Sequence, residues 1–321
     1  MAYPYPAVDT AAIRNTERLT AFLSEIIEKK PVDQYFEKYP TFDFFYKKKR
    51  TMSGGDQMIL PIGVGQDPNM IDATDYDEIN TSGTDTTSMV LYNMRNKFSS
   101  LTISWAEMRE LEGIDHKIFD RVDYKRGIII NTLAKQTNED FFAAAQAAKK
   151  VTSLAIGVDS SGSVGSLSQA TESQWASYEI DHSDTYENDG YSQFLTMWEQ
   201  LKIRKSEPDV IITTPTLHTK YEAEQNVDVR YMGDGMGAMG RGASQLLFKR
   251  VPIIADADCT SDTFYFLNTM GMPYYVDSEG DSKFFEFEMP DKQLAYAAKF
   301  VHRHQLCITD RRGQGKIINV T

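Results

Sequence analysis

Cysteine is almost absent. Cys259 and Cys307 are the only two in 321 residues, too few for a disulfide framework, so a reducing cytoplasm is the expected compartment. Long apolar runs are missing as well. No stretch approaches the roughly 18 residues that a membrane helix needs, and the opening MAYPYPAVDTAAIRNTERL lacks the apolar core of a signal peptide. Basic charge is scarce: 34 Lys and Arg stand against 46 Asp and Glu, a formal net charge of −12. That balance argues against a dedicated DNA binder, which shows a basic face, but does not exclude a protein that lies beside DNA without gripping it. There is no internal repeat and no low-complexity tract. G-x-S-x-G, the P-loop and H-E-x-x-H are also absent.

What is present reads as globular, with 41% hydrophobic and 25% charged residues and length for one large domain or two ordinary ones. Residues 11–29 form an amphipathic helix candidate, with Ile13, Leu19, Phe22, Leu23, Ile26 and Ile27 on one side and Pro31 as its stop. The basic run YKKKR at Tyr46–Arg50 suits a solvated face or an acidic partner. The β-type runs QMILPIGV and TSMVLYNM flank an acidic middle, and 51–103 reads as a long, open hairpin. A loop of that length is usually functional or held by a partner. Ser104 and Glu107 have capping-box spacing, and Ile103 can staple to Met108. An apolar stripe of Ile114, Ile118, Val122, Ile129 and Leu133 then predicts a helix. If it is continuous over 115–149 it runs for roughly 50 Å. Residues 151–188 read as loose. A helix is expected around Tyr191–Leu201, a buried strand at DVIITT, and a helix opened by Pro215 behind a Thr214 cap. Strands dominate the last third.

Candidate chemistry is thin. Gly235, Gly237 and Gly240 match G-x-G-x-x-G, but only RGASQ separates Gly240 from the strand LLFK, too short for the helix that a dinucleotide site requires. The segment Gly233–Gly242 reads instead as a mobile or partner-ordered loop, with Met232, Met236 and Met239 as adaptable contacts. Asp256 and Asp258 could hold a divalent cation, or could cap a strand-ending turn; no third acidic ligand has suitable spacing. His302 and His304 share one face of a strand, which zinc allows, yet two ligands do not make a site, and a core or interface role fits them better. No catalytic residue, cofactor site or metal site is expected.

The order of parts carries more information. An N-terminal arm, a long hairpin, a long helix, a mixed α/β region and a final strand pair follow one another. With LTISWAEMREL, DVIITTPTLHTKYEA, LLFKRVPIIADADCTSDTFYFLN and AAKFVHRHQLCITDRRGQGKIINV, the chain resembles the major capsid proteins of tailed bacteriophages. The resemblance implies an α+β fold of the Hong Kong 97 type. It assigns 1–50 to the N-terminal arm, 51–103 to the extended E-loop, and 104–150 to the peripheral domain with its spine helix. Residues 151–290 then form the axial domain, and 291–321 are strands returning to the peripheral domain. Gly233, Gly235, Met236, Gly237, Met239 and Gly240 fall in the variable axial loop.

The implied function is structural: hexamers and pentamers of one chain closing into an icosahedral capsid around double-stranded DNA, without sequence-specific binding. The virion would assemble in the host bacterial cytoplasm with a portal and, in some cases, a decoration protein. An encapsulin-like compartment is the alternative within the fold, and a nucleotide- or metal-dependent enzyme the remaining one outside it. The loop middle, 66–89, has no lysine, so covalent cross-linking of the family's kind is not expected. No long helical scaffolding segment precedes the arm, so a separate scaffolding protein is. Asp67, Asp72, Asp75, Asp77, Glu78 and Asp85 make the loop acidic, and a neighbour is expected to order it. Lys117, Arg121, Lys125 and Arg126 on a neighbouring spine are the expected ionic partners, with Met70 and Ile71 supplying apolar contact.

Overall fold

A computed structural model describes residues 38–65, 69–75, 77–78, 82–83, 85–110, 115–204, 207–229, 246–290 and 293–321. Helix α1 (Pro40–Lys47) leads to strands β1 (Arg50–Met52), β2 (Gln57–Gly63), β3 (Thr87–Asn93) and β4 (Arg95–Ser104). Helices α2 (Trp105–Glu110) and α3 (Asp115–Phe141) follow, then the short α4 (Leu154–Gly157) and the ribbon β5 (Ser163–Val164) and β6 (Leu167–Ser168). Next are β7 (Tyr178–Asp184), α5 (Tyr186–Ile203), β8 (Val210–Thr213) and α6 (Pro215–Val229). The chain ends in β9 (Leu246–Phe248), β10 (Val251–Ala255), β11 (Phe264–Leu267), β12 (Tyr274–Asp277), β13 (Lys283–Glu288), β14 (Ala295–Leu306) and β15 (Gly315–Val320).

Two sheets organise these elements. The six-stranded sheet has the order β7-β15-β11-β8-β10-β9. Every residue of β8 is buried, as a central strand covered on both faces requires. Its core gathers Phe194, Met197, Trp198 and Leu201 from α5 with Leu217 and Tyr221 from α6. Phe194 lies at the centre, 4.8 Å from the Phe264 ring and 5.0 Å from that of Phe266, both edge-to-face. The second sheet joins β1, β12, β14 and β13, with β4 on the other edge of β14. Leu101, Ile103 and Ala298 on this sheet pack against Val122 and Ile129 of α3. A larger core lies around Phe45, Phe141, Tyr265 and Tyr274.

The capping box at the entry to α2 forms as expected. Glu107 N donates to Ser104 Oγ at 3.1 Å, and Ser104 N donates to Glu107 Oε2 at 3.3 Å. Leu217 N donates to Thr214 Oγ1 at 3.4 Å at the start of α6.

The spine helix is shorter than its alanine-rich continuation predicts. It ends at Phe141 after 27 residues, about 40 Å. Phe141 and Phe142 are both buried: Phe141 meets Phe45, whereas Phe142 turns to Tyr265. Two adjacent inward aromatics do not fit one helix face. Asp140 also draws Lys97 and Lys150 to 2.8 and 2.7 Å, so tertiary contacts override helix propensity over the exposed residues 144–150.

The expected partition also shifts. Strands β12 and β13, expected with 151–290, belong to the sheet of β4 and β14. Strand β15, expected to return to the spine, instead lies between β7 and β11, because its Ile317 and Val320 fill the core under α5. The hairpin narrows to 57–93, since β1 and β4 join the five-stranded sheet. Helix α1, expected in an outlying arm, buries Phe42 and Phe45. Residues 151–188, expected to be loose, contain β7, paired in parallel with β15.

One band runs through both sheets. Strand β11 pairs with β15 (Phe266 opposite Gly315), and β12 pairs with β14 (Tyr274 opposite Leu306). Between these pairs, Cys307 N donates to Pro273 O at 3.0 Å and Thr309 N to Gly271 O at 2.8 Å.

Candidate functional site

The hairpin is the feature most suited to function, and its two faces differ. Strands β2 and β3 pair antiparallel with Ile59 opposite Leu91 and Pro61 opposite Met89. Met58, Ile62, Val90 and Tyr92 point into the core, whereas Ile59, Met89 and Leu91 are exposed, following the period of two of a strand. Tyr92 fixes the seat. Its hydroxyl donates to Ile308 O at 2.9 Å and accepts from Ile308 N at 3.1 Å. Burial pushes its phenol above the usual range. Leu91 N donates to Gly165 O at 2.8 Å. Gly165 has a φ of +59°, and a Cβ there would lie 2.1 Å from Val90 Cγ1. The backbone therefore approaches the hairpin as only glycine permits. The expectation that a neighbour supplies most of the hairpin's order needs correction at its strands, because one of their faces is buried by the chain itself.

The tip is different. Met70 is 87% exposed and Ile71 51%, and Asp72, Asp75, Asp77, Glu78 and Asp85 are all exposed. Asp77 accepts from Thr74 N at 2.7 Å, which holds its carboxyl below the usual range. Asp85 accepts from Thr87 N at 3.1 Å. Asp67 lies outside the described residues.

Three of the four expected spine cations have partners within the chain. Arg121 pairs with Glu107, and Lys125 reaches Glu107 at 3.3 Å and donates to Thr102 O at 2.9 Å. Arg126 lies over the Phe284 ring at 4.9 Å. Lys117 lies in α3, but its side chain is outside the described portion. Gly233, Gly235, Met236, Gly237, Met239 and Gly240 likewise lie outside it.

The candidate metal residues are structural links. Asp256 accepts from Asp258 N at 3.0 Å, closing a turn, and from Thr41 N at 3.2 Å. Asn138 Nδ2 bridges Asp256 and Asp258 at 2.9 and 2.8 Å. Among the described residues, no group of three or more His, Cys, Asp or Glu could hold a metal ion. His302 and His304 are buried. Tyr274 Oη lies 2.7 Å from His304 Nδ1 and 3.4 Å from His302 Nε2. Desolvation lowers His302 to about 4, against the pull of Asp281, and holds His304 well below its ordinary value. Both thiols are buried and pushed upward by desolvation, the opposite of a reactive cysteine. Among the described residues, no helix is long and apolar enough to cross a membrane.

Sequence reading missed Arg311. Its RRGQG context resembles an exposed turn, yet the side chain is fully buried. It donates to Gly157 O (3.2 Å), Gly162 O (3.2 Å), Trp175 O (3.0 Å), Ile156 O (3.5 Å) and Ser161 O. One guanidinium thus organises the segment on which the hairpin sits. Beside it, Ile62–Gly65, Trp175 and Arg312 line a cavity of about 470 Å³.

The sequence matches no protein-family model and no curated protein sequence. Its structure is similar to the chain of the cyanophage A-1(L) capsid asymmetric unit, with a TM-score of 0.68 and 12% identity over 93% of this chain and 97% of that one. The capsid of the native GTA particle gives a TM-score of 0.57 at 11% identity, over 98% of this chain and all of that one. The SrpI encapsulin of Synechococcus elongatus gives 0.54 at 9%, over 98% and 96%. The fold is α+β, of the Hong Kong 97 capsid type.

Proposed function

We propose that the chain is the major capsid protein of a tailed bacteriophage, closing as hexamers and pentamers into an icosahedral shell around double-stranded DNA. The observation that carries this reading is the end-to-end similarity to capsid chains, at 93% and 97% coverage for the cyanophage protein. A hairpin seated on its own chain, with an apolar, acidic tip left open, suits a subunit completed by its neighbours. The role is structural and not enzymatic. A net charge of −12 per chain opposes tight phosphate contact and leaves packaged DNA free to slide. Assembly would take place in the host cytoplasm with a separate scaffolding protein, a portal and possible decoration proteins as partners. The encapsulin similarity supports a second reading, a shell around a cargo enzyme.

Electron microscopy of the purified chain tests the shared premise: closed particles are expected, and a protein that stays monomeric under all assembly conditions refutes it. Portal and terminase genes beside its own would favour the capsid, and an adjacent cargo enzyme the compartment.

A further inference from the structure

Of the spine cations expected to receive the acidic tip, Arg121, Lys125 and Arg126 already have partners within the chain, which raises the question of where other basic charge lies. One corner answers it. Helix α5 ends in Lys202, Ile203 and the capping Arg204. The turns 268–272 and 309–314 close beside each other, because Asn268 N donates to Gln314 Oε1 at 2.8 Å and Gln314 Nε2 to Asn268 O at 3.0 Å. Arg204 stacks over Tyr178 at 5.0 Å, whose amide donates to Gln314 O at 3.0 Å. This brings Arg204 to the turn bearing Arg312, near enough that the two positive charges oppose each other.

Among the described residues, none of the ion pairs reaches Lys202, Arg204 or Arg312. Arg204 Nη1 is buried without a hydrogen-bond partner. Asp310, the nearby carboxylate, accepts from Gly313 N at 3.0 Å. Ile203 is 72% exposed and Met270, in the adjoining turn, 74%. Helix carbonyls at the end of α5 favour cations there, but two guanidiniums side by side still call for an outside anion.

We propose that this corner receives the acidic tip, residues 69–75 and 77–78, of a second copy of the chain. The inference rests on the assembly reading and adds a location to it. The match is of both charge and apolar surface. The tip offers Asp72, Asp75, Asp77 and Glu78 around Met70 and Ile71; the corner offers Lys202, Arg204 and Arg312 around Ile203 and Met270. Opposite potentials with apolar anchors among them are how protein surfaces select one another. The chain's own tip does not cover the apolar part of the corner, since Ile203 and Met270 remain exposed. A DNA backbone fits less well, because phosphates have no use for Ile203 and Met270.

Cysteine cross-linking of assembled full-length protein tests the location. The natural thiols are buried, so Met70→Cys with Ile203→Cys places the accessible pair where a disulfide requires Cα atoms within about 7 Å. Oxidation is expected to give a ladder of multimers that reduction abolishes, with no ladder from either single variant. Arg204→Glu with Arg312→Glu should lower particle yield about tenfold or more, and Asp72→Lys with Asp75→Lys in the same chain should restore it. Intact particles that cross-link through Met70→Cys with Ile130→Cys on the spine, but not with Ile203→Cys, would overturn the proposal. So would charge reversal that leaves assembly unchanged, and reversal that lowers only DNA content would assign the corner to phosphate. Wild-type protein that forms no particles at all would instead remove the assembly reading beneath it.

Discussion

Replacing Arg311 with methionine keeps similar bulk and removes every donor from a fully buried site. Five carbonyls, at 156, 157, 161, 162 and 175, lose their partner together. Hydrogen bonds to a charged group contribute about 1.5–3 kcal/mol each, so a simple sum over the five is about 7.5–15 kcal/mol. Two effects reduce it. The guanidinium no longer has to be desolvated, and the adjoining cavity of about 470 Å³, which Trp175 lines, can admit water to the Trp175 carbonyl. A net loss of about 3–5 kcal/mol is expected, a large part of the roughly 5–15 kcal/mol that holds a domain together. At about 2–4 °C per kcal/mol for a large domain, the melting temperature should fall by roughly 10 °C. Calorimetry on the unassembled subunit gives the total. Hydrogen exchange gives the location: amides of 156–175 should exchange much faster, whereas those of β8 stay protected. Arg311→Lys should recover part of the loss, because an ammonium has three donors in place of a planar fork. If Arg311→Met melts within about 2 °C of wild type with 156–175 still protected, the guanidinium is not what organises this segment.

Two further outcomes follow from the same region and from the second sheet. Gly165→Val puts a β-branched residue at a φ of +59° and its Cβ 2.1 Å from Val90 Cγ1. About 2–4 kcal/mol of strain and overpacking should lift the hairpin, read as at least tenfold faster proteolysis within 57–93; an unchanged rate refutes the close approach. His302 titrates near 4 in the folded chain against 6.5 as its ordinary value. The folded state therefore binds fewer protons between those values, and stability present above pH 6.5 declines as pH falls toward 4, by about 3 kcal/mol. Urea midpoints should drop more steeply over that range in wild type than in His302→Gln, and parallel curves would show that His302 does not carry the effect.

The parts of the fold visible in the sequence were those set by local chemistry. The Ser104–Glu107 box, Thr214–Pro215 and the alternating runs of the hairpin depend on residues a few positions apart. Phe194, Trp198 and Leu201 were found on one face for the same reason. Where α3 ends was not visible, because Phe142 turns toward Tyr265, a residue 123 positions later in the sequence. Arg311 was hidden because its partners lie on a segment of 156–175 whose composition suggests a loop. The spine cations were identified as basic and helical, but Glu107 had been counted only as a cap; its second role toward Arg121 and Lys125 appears only once α2 folds beside α3. The acidity of the tip was legible, and the corner that complements it was not, since α5 and two distant turns build it.

The band formed by β11–β12 and β14–β15 has a mechanical consequence. A single strand passing between two sheets acts as a swivel. Here two strands cross together, and hydrogen bonds at Pro273–Cys307 and Gly271–Thr309 tie them along the crossing. Such a double bar resists torsion, so the two sheets should turn as one piece. If the subunit fits both five-fold and six-fold rings, as the proposed capsid role requires, it needs some compliance, and this joint is a poor place for it. The bending would have to fall where no second strand braces the chain, as in the loop after α3. Adaptation to curvature would then be a property of the periphery, carried by a stiff centre.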